Sequence, residues 1–241
     1  MTDSLAGDAL FRPVRAGNAF EETVGRLLQA VRLGIVAPGE ALPPERDLAA
    51  RFSVSRDTVR DAIRSLSDAG FLVSRRGRYG GTFVVDELPS PGAIEGLAAS
   101  TPPSPAEVDD VLALRGILET GAARLAAGRS LSAADRELLW ARLQETAAAS
   151  IADYRRLDSR LHLAIAELVG SPSLVPLLAD NRTRVNELLE RIPLLEPNIG
   201  HSNQQHEAIV VAILTGDAER AVAAMDEHLE GSAALLRGFL G

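Results

Sequence analysis

Three histidines and an aspartate in the C-terminal half of the chain have the types and spacing to hold a metal ion. Asp158 and His162 are four residues apart, which puts them on one helix face with Leu161 and Ile165. His206 shares its face with Ile209, Val210 and Ile213, and His228 lines up with Val222, Met225 and Leu229. All four side chains are thereby directed toward an apolar interior. An aspartate and three imidazoles brought together from three helices suit a divalent ion. Zinc is the first expectation, with nickel, manganese or iron as alternatives, and positions would remain open for water or a ligand. Taken singly, each histidine is more simply read as a hydrogen-bonded core residue, so the expectation depends on their convergence. His201 lies outside the pattern and reads as surface or loop.

Arg115 falls on the apolar stripe Val108, Val111, Leu112, Leu118 and Ala122, where an unpaired guanidinium would be expensive. Two readings follow. Arg115 forms a buried pair with Glu119 or Asp158, or its planar fork anchors a carboxylate ligand. Asn181, Arg184 and Asn203 are candidates to line the same cavity, although packing or surface contact explains each of them more simply.

A second constellation lies upstream. In Ser55-Arg56-Asp57-Thr58-Val59-Arg60, the two arginines stand one turn apart on a single face, and arginine can contact guanine bidentately in the major groove. Ser55 and Thr58 carry hydroxyls suited to phosphates. The alternative is a solvated helix on which Arg56 and Arg60 pair with Asp57 and Asp61. From residue 43 to 83 the chain holds eight arginines against five acids, a local charge of +3 within a total of −8, which leaves −11 elsewhere. Only the upstream segment is electrostatically suited to DNA.

These residues need elements to position them. An amphipathic helix is expected over 19–33 (Phe20, Val24, Leu27, Leu28, Val31), a short one over 45–51, and a third from the N-cap Ser55 to about residue 69, with Ala62, Ile63, Leu66 and Ala69 on its buried side. Two strands, 71–75 and 82–85, flank an Arg/Gly-rich turn. That order describes a winged helix-turn-helix. Residues 86–104, rich in Pro, Gly and Ser, read as a linker with a helical turn near 93–98. Helices are expected at 105–127, 132–150, 153–169, 173–191, 201–215 and 217–238. The fold expected is mainly α: a DNA-binding domain over 19–85 and an antiparallel all-α bundle over 105–240.

Composition narrows the chemistry. The 241 residues are 46% hydrophobic and 24% charged, which fits a globular chain. Cysteine is absent, excluding disulfides, thiolate metal sites and a cysteine nucleophile. Every basic residue is arginine, which excludes a lysine Schiff base and a P-loop lysine. Residues 1–10 lack a basic segment followed by an apolar core, and no apolar stretch reaches membrane-spanning length, so a cytoplasmic location with no membrane partner is expected.

Leu42-Pro-Pro-Glu-Arg-Asp-Leu48, Val54-Ser-Arg-Asp-Thr-Val-Arg-Asp-Ala-Ile63, Leu66, Ala69-Gly70 and Gly77…Gly80-Gly81-Thr-Phe-Val84 resemble the DNA-binding domain of the GntR family of bacterial transcription regulators. The resemblance implies that Arg46, Arg56 and Arg60 read or clamp an operator, and that the wing at Arg76 and Gly77 reaches the minor groove. Arg75 and Arg78 make this wing unusually arginine-rich. Asp57 departs from the small polar residue usual at its position. Arg115…Glu119, Asp158-x-x-x-His162, His206-Glu207-Ala-Ile209 and Met225-x-x-His228-Leu229 are similar to the metal-containing, all-helical ligand (FCD) domain of the FadR-like subfamily. This resemblance implies a metal held by Asp158, His162, His206 and His228, and a small carboxylate between it and Arg115.

The expected function is a DNA-binding regulator, by default a repressor relieved by a metabolite. It would bind an inverted-repeat operator as a homodimer and respond to a small organic acid. One alternative is a regulator for which the metal itself is the signal. Another is a metal-dependent hydrolase, against which stands the lack of His-Glu-x-x-His or Gly-x-Ser-x-Gly spacing.

Overall fold

The computed structural model describes residues 11, 19–77, 80–89, 103–192 and 196–240. The chain divides into two compact units, 1–100 and 101–241. The helical turn expected near 93–98, most of the 86–104 segment and Arg78 lie outside the described residues.

In the first unit, α1 (Ala19–Arg32) buries Leu27, Ala30 and Val31, while Phe20 at its start stays 39% exposed. α2 (Glu45–Phe52) ends at Ser53, a non-glycine residue in the left-handed region (φ 56°), and Val54 N donates to the Ala49 carbonyl at 3.1 Å. This closes the tight turn into α3 (Arg56–Asp68). Ser55 caps α3: its Oγ accepts from the Thr58 amide at 3.0 Å, satisfying one of the free N–H groups of the first turn. Val59, Ala62, Ile63 and Leu66 form the buried stripe of α3. Ala69, expected on that stripe, is exposed, because the helix has ended at Asp68 and the backbone turns away. β1 (Leu72–Arg75) and β2 (Gly81–Val84) pair antiparallel, with Leu72 opposite Val84 and Arg75 opposite Gly81. Gly77 has φ 111°, a conformation that side chains disfavour, and Gly80 N donates to the Gly77 carbonyl at 2.9 Å to close the turn.

The second unit is an antiparallel helical bundle: α4 (Pro105–Ala127), α5 (Ala133–Ala147), α6 (Tyr154–Leu168), α7 (Leu174–Leu189), α8 (Glu196–Thr215) and α9 (Ala218–Leu240). α6 is buried all round from Asp158 to Ala166, the pattern of a central helix, and packs against α4, α5 and α7. α9 packs along α4 and α8, and Val108, Val111, Leu112, Val185, Leu188, Ile192 and Leu236 knit α4, α7 and α9 into one apolar cluster. α8 starts at Glu196, five residues before the expected start. Its Pro197 is in the first turn, where a missing N–H costs nothing, so the sequence break at 193–200 overstated the interruption. No described helix is long and apolar enough to cross a membrane.

α4 carries both Arg115 and Glu119, and a capping box sets its start: Ser104 Oγ accepts from Glu107 N at 3.3 Å, and Glu107 Oε2 accepts from Ser104 N at 2.7 Å. Replacing Ser104 with Ala is expected to lower the stability of this unit by about 0.5–2 kcal/mol. Trp140, the sole tryptophan, lies on α5 and reports that unit's denaturant transition by fluorescence. An unmoved midpoint would mean that water satisfies the first turn without the serine.

Candidate metal centre and DNA-reading face

The second unit brings the metal candidates together. One ligand atom from each of Asp158, His162, His206 and His228 lies within 4.8 Å of the others, and all four residues are buried. His206 Nε2 is 3.2 Å and His162 Nε2 3.7 Å from Asp158 Oδ1. The rings lie close together, with centroids 4.5 Å apart for the tilted pair His206 and His228 and 5.2 Å for the stacked pair His162 and His228. Ligands about 2.0–2.2 Å from a common ion would be spaced on this scale.

The surroundings hold the rings in place. His162 Nδ1 lies 2.5 Å from Glu119 Oε2, and His228 Nδ1 is 3.3 Å from Gln205 Oε1, so each ring is braced on the side away from Asp158. A carboxylate behind an imidazole is the usual means of fixing a ligating histidine. Nε2 of all three histidines is buried with no hydrogen-bond partner among the described residues. An unmatched buried polar atom costs about 1–3 kcal/mol. Three lone pairs meeting at a carboxylate oxygen are the donor set that a divalent cation satisfies, and the residues fit such an ion.

Electrostatics centre on Arg182, which is fully buried on α7. Its Nη2 donates to Asp158 Oδ2 and to Ser159 Oγ (3.2 Å), and its Nη1 to Glu119 Oε1 (3.5 Å). Arg115 Nε also donates to Glu119 Oε1, at 3.2 Å, and Arg115 Nη1 donates to Ser232 Oγ at 2.7 Å. Burial opposes ionisation of Asp158 and Glu119, yet the adjacent cationic groups outweigh it and hold both carboxyls well below the usual range. For Asp158 the strongest such partner is Arg182, with His162 next; for Glu119 the order is His162, Arg115, Arg182. Burial pushes His228 well below the ordinary imidazole value, with His206 and His162 adding to it, so it is neutral as a ligand must be.

Beside this cluster is a cavity of about 380 Å³. Arg115, Asp158 and His228 line it together with Tyr154, Arg155 and His201. Burial and the Asp158 carboxylate push the Tyr154 phenol up, so it remains a proton donor. Arg115 forms the buried pair with Glu119 that one of its two readings expected, and it also lines the cavity. The other effector candidates do not join it. Arg184 is exposed and pairs with Asp110 at 3.4 Å. It stands one residue before buried Val185, a rotation of about 100° that turns it to solvent, in keeping with the simpler reading as a surface contact. Asn181 is buried and spends its Nδ2 on the Val111 carbonyl (3.1 Å), and neither it nor Asn203 lines the cavity. His201, expected at the surface or in a loop, is exposed but sits on α8 at the cavity wall, four residues before Gln205, because the helix begins early. The sequence reading missed Arg182, Tyr154 and Arg155. Arg182 is four residues beyond buried Leu178, on the apolar face of α7, and that spacing was its available signal.

In the first unit Arg46, Arg56 and Arg60 are exposed, and Thr58 is half-buried. Arg60 is held by Asp57 (3.1 Å) and Glu45 (3.3 Å), and Arg46 by Asp47 (3.2 Å), all with solvent access. Ser55 and Thr58 share a hydroxyl hydrogen bond at 2.8 Å within the cap. Arg76 and Gly77 stand exposed at the wing turn, and the Arg75 guanidinium lies 4.6 Å over the Phe83 ring, which steadies the ribbon.

Residues 20–84 match the family of bacterial regulatory proteins called gntR, and residues 110–231 match the FCD domain. An Escherichia coli K12 protein named as an L-lactate dehydrogenase operon regulator is 32% identical over 198 residues, 79% of this chain and 76% of that one. The transcriptional repressor NanR of Cronobacter sakazakii is 29% identical over 238 residues, 95% of this chain and 89% of that one. Among solved structures, Escherichia coli McbR/YncC shares the fold at a TM-score of 0.56 and 17% identity, covering 91% of this chain and 97% of that one. These relatives and both domains belong to transcription regulators rather than enzymes, and FCD domains often bind metal. The chain is a member of the GntR family of DNA-binding transcription regulators, carrying an FCD effector domain behind its winged helix-turn-helix.

Proposed function

We propose that this regulator acts in the cytoplasm as a homodimeric repressor of an inverted-repeat operator, and that a small carboxylate bound beside a divalent metal releases it. Residues 19–85 would read DNA, 86–104 would connect, and 105–240 would bind effector and dimerise. The observation that carries this reading is the meeting of Asp158, His162, His206 and His228 beside a cavity that Asp158, His228 and Arg115 line. The name of NanR as a repressor supports the sign of the response.

Asp158 Oδ1 and the three Nε2 atoms would hold the ion, with zinc first and nickel, manganese or iron as alternatives. When bound, the ion supplies a Lewis-acidic centre for a carboxylate oxygen. Arg115 offers its remaining Nη donors to the same carboxylate, Glu119 and Gln205 keep the His162 and His228 rings in place, and Tyr154 can donate a hydrogen bond to a ligand oxygen. Arg115 also touches Ser232, so a ligand here acts on both α4 and α9. A coupling of about 1–3 kcal/mol between effector and operator is the common range.

On DNA, Arg56 and Arg60 would address base edges, Ser55, Thr58 and Arg46 would hold phosphates, and Arg76 with Gly77 would enter the minor groove. Arg60 must then leave Asp57 and Glu45, which exposed pairs permit at about 0.2–1 kcal/mol each.

Glu119→Gln is expected to keep all four ligands yet weaken metal affinity by about 10–100-fold, measured by competition with a chelator. Unchanged affinity would deny Glu119 a role behind His162. Arg56→Ala is expected to abolish the preference for operator over unrelated duplex, measured by fluorescence anisotropy at fixed salt. A preserved ratio would place base reading elsewhere. Arg115→Met is expected to retain metal and lose the response of DNA binding to carboxylate. An undiminished response would confine Arg115 to its contacts with Glu119 and Ser232.

A further inference from the structure

The charges around the metal candidates specify the effector more narrowly. Asp158 and Glu119 contribute two negative charges, and Arg115 and Arg182 two positive ones, and all four residues are buried. They pair among themselves: Arg115 with Glu119 at 3.2 Å, Arg182 with Glu119 at 3.5 Å, and Arg182 with Asp158. Histidine ligates metal as the neutral imidazole. With the three histidine ligands in that form, the protein groups sum to zero. A divalent cation in that setting brings two positive charges that no side chain of the cluster offsets, and an uncompensated buried charge is costly. A monocarboxylate neutralises half of the excess, and a dianion neutralises all of it.

The cavity has a second cationic feature that the metal end does not use. Arg155 lines it from α6, three residues before Asp158, which is about 4.5 Å along the helix axis and on the same side. Its one hydrogen bond among the described residues runs from Nη2 to the Ile192 carbonyl at 3.4 Å. Partial burial pushes the Arg155 guanidinium below its ordinary value, against the pull of Glu190 and Asp158. Its charge adds to, rather than offsets, the two positive charges the ion would bring. A fork with donors to spare is the group that takes a carboxylate bidentately. The cavity walls also include Leu189, Ile192, Ile199 and Leu235, which suit methylene groups rather than further polar atoms.

We propose that the effector is an aliphatic dicarboxylate, with one carboxylate at the Asp158/His162/His206/His228 end beside Arg115 and the other on Arg155. This rests on the carboxylate-and-metal reading above and adds the second charge and the residue that selects it. Arg155 is a specificity-determining residue for the ligand and leaves the metal ligands untouched.

The test is calorimetric titration of the zinc-loaded full chain with three length-matched pairs: succinate and butyrate, glutarate and valerate, adipate and hexanoate. At least one diacid is expected to bind about tenfold or more tighter than its monoacid, the gain of one charge-assisted contact. Arg155→Gln is expected to bring that diacid close to its monoacid and to leave monoacid affinity and zinc content unchanged, while Arg155→Lys, which keeps the charge, recovers part of the preference. Monoacids that bind as well as diacids at every length would overturn the proposal and leave the carboxylate reading standing, and this comparison needs no variant to fold. A diacid preference undiminished in Arg155→Gln would also overturn it. If none of the six acids binds while zinc remains in place, the carboxylate reading fails, and the proposal with it.

Discussion

A guanidinium with no exposure to water sits at the centre of the second unit. Arg182 reaches from α7 to Asp158 on α6 and to Glu119 on α4, so three helices share one buried charge network. Removing one partner from such a network costs about 3–5 kcal/mol, because the remaining carboxylates stay buried without compensation. The arrangement of the metal candidates follows from it. Arg182 occupies Asp158 Oδ2 and thereby turns Oδ1 toward His206 and His162. Arg182 and Arg115 together hold Glu119 Oε1, which leaves Oε2 against His162 Nδ1. Each carboxylate thus gives one oxygen to arginine and the other to the histidine cluster.

This division explains what the sequence could reveal. Asp158, His162, His206 and His228 were legible because each sits at a helical interval from apolar neighbours, and the 3.6-residue period needs no tertiary information. The helix limits in the first unit were legible for a similar reason, since the Ser55 cap and the Gly77 turn are local devices. Arg182 was not. An arginine on an apolar face is disfavoured unless partnered, and its partners are 24 and 63 positions away on two other helices. The spacing that would have flagged it, four after Leu178, competes with the equally valid reading of Asn181 three after Leu178, and both residues are in fact buried. Arg184, two residues beyond Arg182, is exposed, as the simpler reading of a surface contact had it. The cavity-lining role of His201 was hidden by Pro197 and Gly200, residues that look like a break and here stand inside a helix.

The two units use arginine–carboxylate contacts at opposite ends of the dielectric range. In the first, Arg60 rests on Asp57 and Glu45 with its side chain 56% exposed; in the second, Arg182 has no exposure at all. The same pair of functional groups is worth little in water and fixes structure when buried. An exposed pair has another use. Asp57 and Glu45 keep Arg60 from wandering over its rotamers, yet they compete weakly enough for a DNA backbone or base edge to displace them. The carboxylates would then face a polyanion, which penalises any duplex on which Arg60 gains no contact that outweighs the repulsion. Acidic residues on a recognition helix therefore trade affinity for discrimination.

The buried pairs have the converse effect on the effector domain. Because Asp158, Glu119, Arg115 and Arg182 cancel, the folded helical unit tolerates these charges in its interior without an ion, and a metal ion would enter a site with no net negative charge. An anionic site would bind metal more tightly and leave nothing for a ligand to neutralise. A neutral site gives up part of that affinity and makes the ion's own charge the attraction for an incoming anion. Under the proposed function the ligand would be held by the same imbalance that its arrival removes, and occupancy by metal and by organic acid would be cooperative. That cooperativity needs no change in the positions of the four ligands. It needs only that α4, α6 and α7 keep their charges paired when the site is empty, and the Arg182 network does so.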